Sequence, residues 1–169
     1  MLLRPAEPED ALSVARVHVR AWQIGYRHIL PDNYLAQLRP EERAQRYDFA
    51  TMDIRQPMTL VAVEDGTIRG FATTAPARDN DLPYLGELCA LYVDPDCWNR
   101  GIGGALIAAA RQRLVEQGYR YALLWVLAGN DRGERFYRAD GWIPDGMARR
   151  ERIWGMTVDE IRYRRPLQG

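Results

Sequence analysis

The sequence predicts one mixed α/β domain, and three stretches predict it. Leu88–Leu106 reads as a strand, a polar corner, a glycine-rich turn and a helix. Thr59–Thr73 reads as a β-hairpin. Tyr121–Met147 runs strand, helix, strand. Short apolar runs alternating with helical periodicity are the pattern of a sheet covered by helices. At 169 residues, the whole chain 1–169 is expected to be a single domain with a substantial core.

Taken in order, Met1–Arg4 reads as a short first strand. Pro8, Glu9 and Asp10 open a helix with acids in its first turn. Leu12, Ala15, Val19 and Trp22 form its apolar stripe. His18, Trp22 and Tyr26 recur on a neighbouring face, which suits either core packing or, for Trp22 and Tyr26, the rim of a pocket. Pro31 breaks this helix, and residues 32–38 and 40–52 are expected to be two further helical pieces. Thr59–Val63 and Thr67–Thr73 pair around Asp65-Gly66, a two-residue turn signal. Tyr84–Val93 is the next strand. In it Cys89, Leu91 and Val93 alternate with Leu88, Ala90 and Tyr92, and both sets are mainly apolar, as in a strand covered on both faces. Pro95 closes it. Leu106, Ile107, Ala110 and Leu114 then recur at helical spacing, and Gly118 ends that helix. Tyr121–Leu127 is a strand. Asn130 suits the N-cap of the following helix. Trp142–Met147 and Glu160–Arg164 are the final strands, with Arg149, Arg150 and Arg152 between them expected in a solvated loop, a binding patch being the other reading.

Lys plus Arg and Asp plus Glu both number 23, giving a formal net charge of zero. That speaks against a nucleic-acid partner, which calls for a basic face. No apolar run approaches the length of a membrane span and no leader pattern opens the chain, so no membrane partner and a cytoplasmic location are expected. Cys89 and Cys97 have no metal or redox spacing, and no metal is expected. Cys89 reads as a small buried hydrophobe, and Cys97 sits in the corner beside the glycine turn.

Gly101, Gly103 and Gly104 lie where a strand turns into a helix. Without Cβ atoms they let backbone approach a ligand, and a helix N-terminus favours phosphate. A tight turn with no ligand uses the same residues. A Walker loop needs a lysine after its glycines, and Ala105 follows here. A dinucleotide fingerprint needs a small residue where Leu106 stands.

Arg100–Leu106 after Leu91–Pro95 resembles the acetyl-CoA-binding motif of the GNAT superfamily of N-acetyltransferases. Leu124–Asn130, Arg135-Phe136-Tyr137 and Asp140–Ile143 are similar to the next strand, helix and strand of that family. The resemblance is close over about residues 84–145. Trp98 stands where the family usually has Gln or Arg, and Asn99 where glycine is common. The resemblance implies a central, mostly antiparallel sheet with splayed central strands and helices on both faces. It implies an acyltransferase that moves an acetyl group from acetyl-CoA, its cosubstrate, to a primary amine by direct attack on the thioester. The acceptor is a small-molecule amine, a protein N-terminus or a lysine, and a homodimer is compatible with the family.

By the same resemblance, the cosubstrate lies against Leu91, Tyr92 and Val93 and along Asn99, Arg100, Gly101, Ile102, Gly103 and Gly104. Asn130 either bonds the pantetheine arm or caps its helix. Tyr137 stands at the family's acid position, where it donates a proton to the departing sulfur; a core tyrosine is the other reading. Glu87 is either the base for the amine or a strand-end surface acid. Trp22, Tyr26 and Trp125 are expected to line the acceptor site. Two other classes remain open on the sequence: a non-catalytic acyl-CoA-binding regulatory domain, and a toxin that acylates aminoacyl-tRNA.

Overall fold

The computed structural model describes residues 1–167. Seven strands form one sheet in the order β1-β2-β3-β4-β5-β7-β6. The strands are β1 (Leu2–Pro5), β2 (Met58–Glu64), β3 (Thr67–Pro76), β4 (Gly86–Val93), β5 (Tyr121–Leu127), β6 (Ile143–Ile153) and β7 (Met156–Pro166). Every neighbouring pair is antiparallel except β4–β5. The helices are α1 (Ala11–Gly25), α2 (Asp32–Ala36), α3 (Pro40–Ala44), α4 (Ile102–Glu116) and α5 (Asp131–Ala139).

Alternation across β3 separates the two faces of the sheet. Phe71 packs with Val14 and Val17 of α1. Its neighbour Ala72 packs in the cluster of Leu106, Ala110 and Leu114 of α4. The expectation of helices on both faces is met. Leu106, at 0% exposed, contributes on the order of 1.5–3 kcal/mol through burial alone.

The β4–β5 pair positions the site. Only Gly86 and Glu87 pair with β5, opposite Ala122 and Leu123. From Leu88 onward β4 pairs with β3 alone, so the splay opens at Leu88. A bulge falls at the same place. Leu88 pairs with Thr74 and Ala90 with Thr73, leaving Cys89 as an extra residue. Leu88 therefore shares the α4 face with Leu91 and Val93, while Ala90 and Tyr92 face α1. The simple alternation expected for this strand is thus broken at Cys89. The bulge also overturns the reading of Cys89 as buried: its side chain is exposed, and Cys97 is the buried cysteine.

The chain departs from expectation in two further places. The second helical piece ends at Ala44 rather than Met52, and Tyr47 and Phe49 pack instead beside Phe71. The arginine run 149–152 is not a solvated loop but part of β6, where Arg149 and Arg150 find acids across the hairpin and Arg152 lies opposite Thr157. Arg149 and Arg150 pair with Glu160 and Asp159 on β7 at 2.9 and 3.2 Å. The turn joining β6 to β7 is Trp154-Gly155, both at positive φ (50° and 78°). Its geometry matches that of Asp65-Gly66, at 52° and 75°. Tryptophan is rare in such a turn, so the sequence carried no hairpin signal there.

Candidate active site

The gap between β4 and β5 lies between two cavities. The first, of about 770 Å³, runs along the start of α4 and reaches Asn130, Phe136 and Tyr137 of the α5 region. The second, of about 1200 Å³, lies toward the α3 end of the molecule and is lined by Glu87, Arg78, Arg149 and Arg162 among others. His18, Arg43, Cys89, Trp125 and Glu160 line both.

The first cavity is bounded by strand backbone that leaves the β3 ladder side and faces the gap. Asp94 N–H donates to the Arg69 carbonyl at 2.7 Å. By the two-residue alternation of an antiparallel ladder, the polar groups of Leu91 and Val93 turn the other way, into the gap. Trp98 confirms this direction, since its indole N–H donates to the Val93 carbonyl at 2.9 Å. Trp98 therefore closes the end of the strand where the resembling family has Gln or Arg. The Arg132 guanidinium stacks 3.5 Å above its ring. At the start of α4, Asn99 and Gly101 take left-handed φ of 62° and 85°. Asn99 can replace glycine here because asparagine tolerates that region. Gly101 caps α4 without a side chain, so the first N–H groups of the helix stay free. A Cβ on Gly103 would meet Phe136 at 3.3 Å, whereas a Cβ on Gly104 would meet nothing within 4 Å. Gly104 thus opens onto the cleft, and such a bare helix start suits a pyrophosphate. Arg100 is turned outward, pairing with Glu64 at 2.6 Å.

Asn130 caps its helix: its side chain accepts from Gly133 N–H at 3.0 Å. Asn130 also lines the cavity. Tyr137 lies in the same cavity, edge-on to Phe136 at 5.3 Å and to Trp142 at 6.4 Å. Burial, and next to it Tyr92, hold its phenol above the ordinary value, so the hydroxyl stays protonated at neutral pH.

Glu87 is not a surface acid. It is 3% exposed. One carboxylate oxygen accepts from Arg78 at 3.2 Å, and the other is buried with no partner. A buried, half-satisfied carboxylate beside a cavity is a group prepared for a ligand. Across the same cavity Glu160 is also buried and accepts from Arg149 at 2.9 Å. Desolvation raises its carboxyl above the usual value, against the opposing pull of Arg149. Cys89 lies on the cleft floor. Its thiol donates to the Glu87 carbonyl at 3.9 Å.

Trp22 and Tyr26 line the first cavity and not the second, whereas Trp125 lines both. The Tyr26 hydroxyl meets that of Tyr92 at 3.2 Å. The Trp125 N–H donates to Asp79 at 3.1 Å, and the Arg149 guanidinium lies 4.1 Å over its ring. Arg162, 3% exposed, binds Asp79, Asp81 and Asp145 and so ties the 78–81 loop to β7. Sequence reasoning missed Glu160, Arg149, Arg132 and Arg43. They come from separate segments with no mutual spacing, so only the fold assembles them.

His18 is buried, with Nδ1 2.8 Å from the Tyr47 hydroxyl and its ring stacked on Tyr92 at 4.7 Å. Burial first, then Arg43, depress its pKa well below 6.5. The unfolded chain therefore takes up a proton at 6.5 that the folded protein refuses. The stability this neutral imidazole contributes is complete above pH 6.5 and is lost as pH falls toward the depressed value. The loss is at most about 1.4 kcal/mol per pH unit. Thermal denaturation between pH 7 and 5 should show Tm falling, and His18→Gln should flatten that fall. Parallel curves for the two proteins would contradict it.

The acetyltransferase (GNAT) family model matches residues 22–142. YuaI of Bacillus subtilis (strain 168), described as an uncharacterized N-acetyltransferase, is 30% identical over 160 residues, covering 94% of this chain and 89% of that protein. A mycothiol acetyltransferase of Acidimicrobium ferrooxidans is 30% identical over 145 residues, 84% of this chain but only 42% of the relative. Among solved structures, a GCN5-related N-acetyltransferase of Rhodopseudomonas palustris has a TM-score of 0.77 at 22% identity, covering 98% of this chain and 94% of that one. The PaiA N-acetyltransferase of Thermoplasma acidophilum, solved with coenzyme A, has a TM-score of 0.70 at 20% identity, covering 98% of each chain. With a family match across most of its length and a full-length relative, the chain belongs to the GNAT family of acetyltransferases.

Proposed function

We propose that the protein transfers an acetyl group from acetyl-CoA to a primary amine, and that the two cavities divide the work. The carrying observation is the bare, glycine-lined start of α4 on the same cleft as Tyr137, with half-satisfied Glu87 across the gap. When bound, the cosubstrate supplies an activated acetyl carbonyl. The free N–H groups of α4 hold its phosphates, and Arg132 and Arg135, which line that cavity, add positive charge. The amine enters from the second cavity. Glu87 takes its proton, directly or through water, as the nitrogen attacks the carbonyl carbon. The backbone N–H groups of Leu91 and Val93 stabilise negative charge on the carbonyl oxygen. As the carbon–sulfur bond breaks, the Tyr137 hydroxyl gives its proton to sulfur.

Gly104→Leu tests the cosubstrate site. Leucine is a better helix former than glycine by roughly 0.5–1 kcal/mol, and the position has room in the free protein. Calorimetry should show acetyl-CoA affinity falling at least about tenfold, while Tm holds or rises. Unchanged affinity would remove the phosphate assignment. For the reaction itself, release of thiol from acetyl-CoA is followed over a panel of primary amines. The chain contains no lysine, so acetyl label found by mass spectrometry beyond its N-terminal amine belongs to the acceptor. Binding of acetyl-CoA with no amine-dependent thiol release would favour a non-catalytic binding domain.

A further inference from the structure

The second cavity is electrically two-ended, and one end is incomplete. Three of its arginines are neutralised, exposed Arg78, half-buried Arg149 and buried Arg162. Arg78 meets Glu87 at 3.2 Å, Arg149 meets Glu160 at 2.9 Å, and Arg162 meets Asp79 and Asp81 at 3.0 and 2.8 Å. Arg43 differs. It lines both cavities and is half-buried. It has no ion-pair partner among the described residues, and its Nε is buried without a hydrogen bond. The guanidinium instead lies 5.0 Å from the Trp154 ring centre and 5.5 Å from that of Tyr47.

Stacking on two rings holds the group in place and stabilises it modestly. It does not supply the oxygen acceptors that a guanidinium fork is shaped for. The adjacent His18, held neutral by burial, adds no charge of its own. Arg46 and Arg152, exposed and without ion-pair partners among the described residues, line the same cavity and extend the positive field. At the other end, Glu87 keeps a buried oxygen without a partner. One end therefore calls for an anion and the other for an amine.

We propose that the acceptor is a small primary amine that also carries a carboxylate, with the carboxylate received by Arg43 and the amine presented to Glu87. This rests on the acetyl-transfer reading above and narrows its acceptor class. The rings of Trp154 and Tyr47 orient the guanidinium, and α3 and the β6–β7 turn become the walls that select the substrate. A ligand with an amine alone leaves Arg43 uncompensated, so it binds without that contribution.

The test compares ω-amino acids, from glycine to aminohexanoate, with alkylamines of matched chain length, using thiol release from acetyl-CoA. The chain-length series makes the result independent of the spacing between the two ends. At least one amino acid should exceed its matched alkylamine in kcat/KM by about tenfold or more. Arg43→Gln should bring that ratio close to one through the KM of the amino acid, with the KM for acetyl-CoA kept. Arg43→Lys retains the charge without the fork and should recover part of the ratio. Near-ultraviolet circular dichroism reports whether each variant keeps its aromatic packing. Equal use of the two series, or a ratio that survives Arg43→Gln, overturns the anion site and leaves acetyl transfer standing. No thiol release with either series, in protein that binds acetyl-CoA, overturns both.

Discussion

Replacing Tyr137 with phenylalanine is expected to lower kcat about 100-fold while acetyl-CoA affinity stays nearly unchanged. The magnitude is that of a positioned general acid. Phenylalanine retains the ring that meets Phe136 and Trp142 edge-on, so the packing survives. Among the described residues the hydroxyl makes no hydrogen bond whose loss would destabilise the fold, so Tm should change little. The proton inventory points the same way. A departing thiolate has a thiol pKa near 8.5, while an ordinary phenol lies near 10. The cleft raises the Tyr137 phenol further, so it is fully protonated at the pH where the amine reacts. A higher pKa makes it a weaker acid, yet a hydrogen bond to developing negative charge on sulfur already lowers the barrier. The wild-type kcat should accordingly show no descending limb from this group below about pH 10. A phenylalanine variant with wild-type kcat, in pre-steady-state measurements where chemistry limits the rate, would reduce the hydroxyl to a structural handle.

Glu87→Gln should lower kcat/KM for the amine about 100-fold and change its pH dependence. A free alkylamine has a pKa near 10.4, as lysine does, so little of it is neutral at pH 7. Without a base the enzyme must wait for the neutral amine, and its rate should climb about tenfold per pH unit up to that value. The wild type, with a carboxylate to accept the proton, should climb less steeply. Glutamine preserves the shape of the side chain. The ion pair it removes involves an Arg78 side chain that is 74% exposed, and such a pair stabilises little. Loss of activity would therefore report chemistry rather than unfolding. If the two pH profiles run parallel, Glu87 is not the base. In that case Glu160→Gln should carry the loss, because Glu160 is also a buried carboxylate on the second cavity and lines the first as well.

The order of elements and the turn geometry at the start of α4, where the cosubstrate is proposed to bind, were legible because they are local. A strand ending in proline, left-handed turn residues at Asn99 and Gly101 and an uncapped helix start all lie within one short stretch. Each is dictated by residues a few positions apart, so periodicity and turn chemistry expose it. The Asp65-Gly66 hairpin was legible for the same reason, and the Trp154-Gly155 hairpin was not, since the same backbone there is built on an unusual residue. The arginines of β6 read as a loop because their partners, Asp159 and Glu160, lie on the far side of that turn.

What only the tertiary structure decided is the make-up of the second cavity, where the acceptor is proposed to enter. Whether Glu87 faces water or a cavity depends on where β4 leaves β5 and on the extra residue at Cys89, which shifts the side-chain alternation of the strand. No residue type marks a bulge in advance. Arg43 looks like any arginine in a short amphipathic helix until Trp154 and Tyr47 close around it and leave it without a carboxylate. Burial and charge compensation are sums over neighbours distant in sequence, and those neighbours are fixed only when the sheet is assembled.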